Sequence, residues 1–256
     1  MITAIDSWIS QKVKTLWEER NMVSFCKACN TSDKQAKLIQ DIISQIQYVI
    51  YDIDSKFEEN MGNDVSKLTE ICLQWKVAIE KILNVYKYEI DDSFIQPLLD
   101  FQDMEIDMRM YADDPTVKTP LDYPIDDFYR LKSCDIFLNR KIVTTISWNE
   151  SLYTSDVVLF DQLWEVLDDM MDVEEDINAI NSNRFFFFFV QKWVEETVKE
   201  YYNFVIPSLK IIMVKSKELS ALWLDVVWLN QQLMSKLCSD WNWVTMSKTN
   251  EMLFGK

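Results

Sequence analysis

Asp161-Gln162-Leu163-Trp164-Glu165-Val166-Leu167-Asp168-Asp169-Met170-Met171-Asp172-Val173-Glu174-Glu175-Asp176-Ile177-Asn178-Ala179-Ile180-Asn181-Ser182-Asn183 has one consistent periodicity, and it is helical. At about 100° per residue, Asp161, Glu165, Asp168, Asp169, Asp172, Asp176 and Asn183 fall within one arc of about 100°. Leu163, Val166, Leu167, Met170, Val173 and Ile177 take the opposite side. An amphipathic helix with a solvated acidic face is one reading of this pattern. Against it, no lysine or arginine occurs between Lys141 and Arg184, whereas solvated helix faces usually mix signs so that residues three and four apart attract. The other reading is therefore that cations sit among the carboxylates.

The same periodicity extends outward in both directions. With two glycines and five prolines in 256 residues, the chain runs in long segments whose apolar residues recur at three- and four-residue spacing. Helices are expected at about 4-28, 32-58, 64-90, 93-112, 125-148, 155-181, 184-205 and 208-244. The fold expected is all-α, a single bundle of about eight helices forming one domain over 1-256. Asn30-Thr31-Ser32-Asp33 suits a helix cap, Asn60-Met61-Gly62-Asn63-Asp64 a turn, and Pro115, Pro120 and Pro124 a break. The run Phe185 to Phe189 is apolar all round and is expected to be central. Its rings and the ten tryptophans are either ordinary core or the lining of a cavity.

Composition removes several chemistries. The chain has no histidine, which excludes Ser-His-Asp and Cys-His nucleophile systems and imidazole metal ligands. Glycine occurs only at 62 and 255, so neither a P-loop nor a dinucleotide-binding turn can be written. The formal charge of -16 opposes nucleic acid and anionic membranes and favours cations or basic partners. The apolar stretch from Phe204 to Leu224 is interrupted by Lys210, Lys215, Lys217 and Glu218, too often to span a bilayer. Five cysteines without dense spacing, and no basic-then-apolar opening segment, point to a reducing cytoplasm. Cys26-Lys27-Ala28-Cys29, a lone pair, reads as structural thiols rather than a zinc or redox site. Asp52-Ile53-Asp54 and Asp126-Asp127 read as solvated or capping acids. Lys132, Arg140 and Lys141 could reach an anion but read more readily as surface residues.

Magnesium is the natural cation for an acidic stripe, because it takes hard oxygen ligands from one or two carboxylates and keeps waters and substrate phosphate. A second acidic line lies upstream, where Asp100, Asp103 and Asp107 fall within about 60° on the helical wheel. Two such helices facing one another could clamp metal between them.

Asp168-Asp169-Met170-Met171-Asp172-Val173-Glu174-Glu175-Asp176 resembles the D-D-x-x-D motif of class I isoprenoid synthases, the trans-prenyltransferases and terpene cyclases. Asp103-Met104-Glu105-Ile106-Asp107-Met108-Arg109 is similar to the other aspartate helix of that superfamily, and Asn181-Ser182-Asn183 to the late motif of microbial cyclases. The resemblance covers motifs from about 100 to 184. It implies a helical bundle around an aromatic pocket, and magnesium-dependent ionisation of a linear prenyl diphosphate, with about three Mg2+ ions holding the diphosphate. On this resemblance Asp103, Asp107, Asp168, Asp169, Asp172, Asp176 and Asn183 are metal ligands, and Arg109 and Arg184 are diphosphate donors. Phe185 to Phe189, Trp164 and Trp193 would face a carbocation. A small-molecule prenyl diphosphate would then be the partner, with no nucleic acid, no membrane-spanning segment, and homodimerisation left open. The alternative is a non-catalytic acidic helical binding protein, of inhibitor, immunity or nucleic-acid-mimic type. The two differ in where the acids lie: converging in a pocket, or spread over exposed surface.

Overall fold

The three- and four-residue apolar spacing is realised directly in a computed structural model, which describes residues 4–60, 65–87, 90, 92–108, 118–173, 183–191 and 194–238. Among these are twelve α-helices, three short 3₁₀ turns and no strand. The helices are α1 (Ala4–Glu19), α2 (Met22–Ala28), α3 (Asp33–Asn60), α4 (Val65–Val85), α5 (Gln96–Asp107) and α6 (Ile125–Lys132). They continue as α7 (Cys134–Ile146), α8 (Ser155–Met171), α9 (Arg184–Gln191), α10 (Val194–Val214), α11 (Ser216–Ala221) and α12 (Val226–Leu237).

The first half is built on α3. Ile39, Ile42, Ile43, Ile46, Ile53 and Phe57 form one buried stripe, and α4 answers with Leu68, Ile71, Trp75 and Ile79. Each such side chain removed from water contributes about 1.5–3 kcal/mol before chain entropy is charged against it. Ser32 caps α3 in a reciprocal box: its hydroxyl accepts from the Gln35 N–H at 3.3 Å, and Gln35 Oε1 accepts from the Ser32 N–H at 2.9 Å. The expected cap is therefore present at that residue.

The second half is organised around α8, which packs against α6, α7, α9, α10 and α12. α6 and α7 also pack against α5, so they join the two acidic helices. The buried apolar residues of both halves, from Met22 to Leu237, form one continuous cluster. Phe185 and Phe186 belong to it, but the helix at the centre is α8 rather than the phenylalanine run.

Four expected boundaries differ, one of them in the helix expected over 208-244, which is broken at Lys215 and again at 222–225 and so yields the end of α10, α11 and α12. The helix expected over 4-28 bends between α1 and α2, where Asn21 is left-handed (φ 53°). The helix expected over 125-148 divides at Ser133 into α6 and α7. Conversely, α10 continues through Pro207, where a break was expected. Proline removes the bond to the Asn203 carbonyl and costs about 3 kcal/mol in a helix interior. The buried stripe Tyr201, Val205, Leu209 and Ile212 packs α10 onto its neighbours and outweighs that loss.

Among the described residues no helix is long and apolar enough to cross a membrane.

Candidate functional site

The acidic face of α8 is only partly solvated. Asp161, Glu165 and Asp169 are as buried as the apolar residues opposite them, and each meets a base supplied by another element.

At the N-terminal end, the Arg140 guanidinium of α7 grips Asp161 with two bonds, Nε to Oδ2 at 2.7 Å and Nη2 to Oδ1 at 2.9 Å. The two side chains are 1% and 0% exposed. This planar fork is the strong form of a charge-assisted contact. The far side of Arg140 is closed by α2: its guanidinium carbon lies 4.6 Å from the Phe25 ring centroid, and Nη1 reaches Met22 sulfur at 3.9 Å. The sequence-based view of Arg140 as a surface residue is thereby corrected. α2 has buried Phe25 and Met22 against it, leaving its charge no route to solvent.

One turn on, Arg20 Nη2 donates to Glu165 Oε1 at 2.5 Å from the bend after α1. Arg20 also lies 5.0 Å from the Trp164 ring centroid, and Trp164 stacks on Trp228 at 4.9 Å. The cation facing Trp164 is therefore a guanidinium of the protein itself. Burial pushes the Glu165 carboxyl up to about 8, against the opposing pull of Arg20.

A raised folded-state value in an acid makes the folded chain hold a proton that the unfolded chain releases. The contribution of Glu165 to stability therefore falls as pH rises from about 4.5, the ordinary glutamate value, to about 8, and is flat beyond. Urea titrations of native chain and Glu165→Gln across pH 5 to 9 are expected to show a shallower decline in the variant. Equal slopes would remove Glu165 as the source.

A further turn along, Asp169 accepts three bonds: from Lys132 Nζ of α6, from Tyr129 Oη at 2.7 Å, and from the Arg184 N–H at 3.1 Å. The Tyr129 and Tyr201 hydroxyls are 2.8 Å apart, which ties the cluster to α10. Burial raises the Asp169 carboxyl above its usual range, with Lys132 opposing.

Asn183 has a structural role here. Its Oδ1 accepts from the Phe186 N–H at 2.8 Å, capping α9, and its Nδ2 donates to the Asp169 carbonyl at 2.8 Å. Arg184 Nη2 donates to Glu200 Oε1 at 2.9 Å and to the Tyr123 carbonyl at 3.3 Å.

The remaining sequence-based candidates lie elsewhere. Asp168 and Asp172 are half-buried towards the end of α8. Asp103 and Asp107 are exposed on α5, and Asp107 accepts from Lys118 Nζ at 2.6 Å. Arg109, Asp176 and Trp193 lie outside the described residues. Asp161 and Asp169 have their oxygens taken by guanidinium, ammonium, phenol and backbone N–H donors.

Cys26 and Cys29 are buried free thiols, pushed up to about 12 and about 11 by burial, so the thiolate needed for reactivity is suppressed. A groove of about 800 Å3 runs between α6, α8 and α10. Its walls are mainly apolar, with Ile125, Leu159, Phe204, Pro207 and Ile211, and Phe204 is the one aromatic ring among its described residues; Asp126, Arg130 and Lys199 also line it.

The residues that decide this interior, Arg20, Lys132 and Arg140, were the ones a reading of the α8 stretch by itself could not supply. Arg140 did carry a signal: it stands within Ile136-Phe137-Leu138-Asn139-Arg140-Lys141-Ile142-Val143, an apolar run that has to be buried. No protein-family model matches the chain, and no curated protein or solved structure does.

Proposed function

We propose that the protein is a non-catalytic acidic helical binding protein that recognises a basic partner. One observation carries this reading. Asp161, Glu165 and Asp169 of α8 are matched internally by Arg140, Arg20 and Lys132, whereas Asp100, Asp103 and Asp107 stand exposed on α5, and on α3 and α4 Asp33, Asp41, Glu70 and Glu80 are exposed among Lys34, Lys37, Lys67, Lys76 and Lys81. Three matched pairs cancel, so the formal charge of -16 lies entirely outside them. A net charge of this sign and size accelerates encounter with cationic surfaces and repels nucleic acid.

Two measurements test the reading together. Affinity for an oligo-arginine peptide is expected to be measurable at low salt and to fall steeply as ionic strength rises. Incubation with geranyl, farnesyl and geranylgeranyl diphosphates, with and without magnesium, is expected to release no pyrophosphate. Magnesium-dependent release with an organic-extractable product would overturn this proposal and restore the isoprenoid-synthase reading.

A further inference from the structure

The groove between α6, α8 and α10 has polar atoms set into its apolar walls, and most of them are acceptors. Gln162 of α8 and Ser208 of α10 both line it, and each is 8% exposed. Gln162 Nε2 donates to the Asp126 carbonyl at 3.3 Å. A carbonyl only accepts, so the amide nitrogen has to face it, and Oε1 is left with no donor among the described residues. The Ser208 hydroxyl donates to the Phe204 carbonyl at 2.8 Å, which uses its one hydrogen and leaves its lone pairs.

Pro207 adds a third acceptor. It stands inside α10, and having no N–H it leaves the Asn203 carbonyl, one turn back, without its helical donor. Asn203 and Pro207 both line the groove. Packing of α10 tolerates this proline but does not call for it, since Pro207 itself is exposed. Three uncommitted oxygens therefore stand against one free amide hydrogen, the second on Gln162 Nε2. A buried acceptor without a donor costs free energy that a donor-bearing ligand restores.

The rest of the wall is apolar, with Ile125, Leu159, Phe204 and Ile211, and the volume of about 800 Å3 suits a small molecule rather than a protein. Charge at the rim is mixed. Asp126 and Glu196 stand beside Arg130 and Lys199, and Arg130 is held by Asp127 at 3.2 Å. Recognition at this site therefore falls to the acceptors and the apolar wall, while the formal charge of -16 disfavours an anionic head.

We propose that this groove binds a small molecule with an apolar body and a hydrogen-bond-donating head, a hydroxyl or an ammonium. The site does not depend on the basic-partner reading above. Calorimetric titration of the full chain with octanol, octylamine and octanoate, equal in chain length and different in head, tests it. Octanol or octylamine is expected to bind at a single site, the tighter of the two assigning the head, and octanoate to bind about tenfold more weakly or less. Pro207→Ala returns an N–H to the Asn203 carbonyl, so it is expected to raise the melting temperature while weakening the tighter ligand about three- to tenfold, the worth of one hydrogen bond. Gln162→Leu is expected to weaken that ligand to a similar degree. No binding of either donor-headed chain, equal affinity for all three heads, or an unchanged affinity in Pro207→Ala would each overturn the proposal. So would a native dimer that Ile211→Glu separates, which would seat a second copy in the groove.

Discussion

Replacing Asp161 with asparagine is expected to cost the fold about 3–5 kcal/mol, because the substitution leaves Arg140 charged and enclosed with no counter-charge. Both side chains are buried, so water cannot take over the solvation that Asp161 provides. Phe25 and Met22, on the other side of the guanidinium, offer it no carboxylate. Urea denaturation reads the loss directly as a fall in midpoint at constant slope. The double replacement Arg140→Met/Asp161→Leu is expected to regain most of it, since an apolar pair of similar volume avoids the desolvation that an ion pair must offset. A native-like midpoint for Asp161→Asn would mean that the pair does not hold α7 to α8.

That pairing also explains how far the sequence could be read. Periodicity is local, and so the helices could be drawn: α3 from its isoleucines, α8 from the alternation of Leu163, Val166, Leu167 and Met170 with acids. Caps made by neighbouring residues, such as Ser32 with Gln35, were equally visible. Helix ends made without glycine or proline were not. Asn21 and Trp223 turn the chain by adopting left-handed backbones, and nothing in their residue types requires a break. Pro207, whose type suggested one, is overridden by packing that only the folded chain supplies.

The interior of the candidate site was the least legible part, for a reason of distance. The absence of bases between Lys141 and Arg184 suggested a stripe with cations among its carboxylates, and magnesium was the cation that chemistry suggested. Cations of the chain itself stand at Asp161, Glu165 and Asp169. They come from positions 21, 145 and 37 residues away, beyond the reach of any helical wheel. An ion pair closed by tertiary packing leaves two separate traces, a carboxylate in one amphipathic helix and a base in an apolar run of another. The sequence does not say that they meet.

Asp168 and Asp169 separate the two accounts of this helix most sharply, because they are adjacent in sequence and opposite in environment. As magnesium ligands in a D-D-x-x-D motif they would act together, and loss of either would abolish any stabilisation by added metal. As placed, Asp169 is a buried acceptor for Lys132, Tyr129 and the first N–H of α9, while Asp168 is half-buried. Asp169→Asn is therefore expected to lose about 3–5 kcal/mol, since Lys132 loses its hydrogen-bonded counter-charge and one of the two acceptor oxygens shared by Lys132, Tyr129 and the Arg184 N–H becomes an amide donor. Asp168→Asn is expected to change stability by less than about 1 kcal/mol, the scale of a solvent-screened charge. Thermal melting of both variants and the native chain, each with and without magnesium, reads both quantities in one experiment. Equal losses at the two positions, or a magnesium-dependent rise in the native melting temperature that vanishes in Asp168→Asn, would return these aspartates to the role of metal ligands.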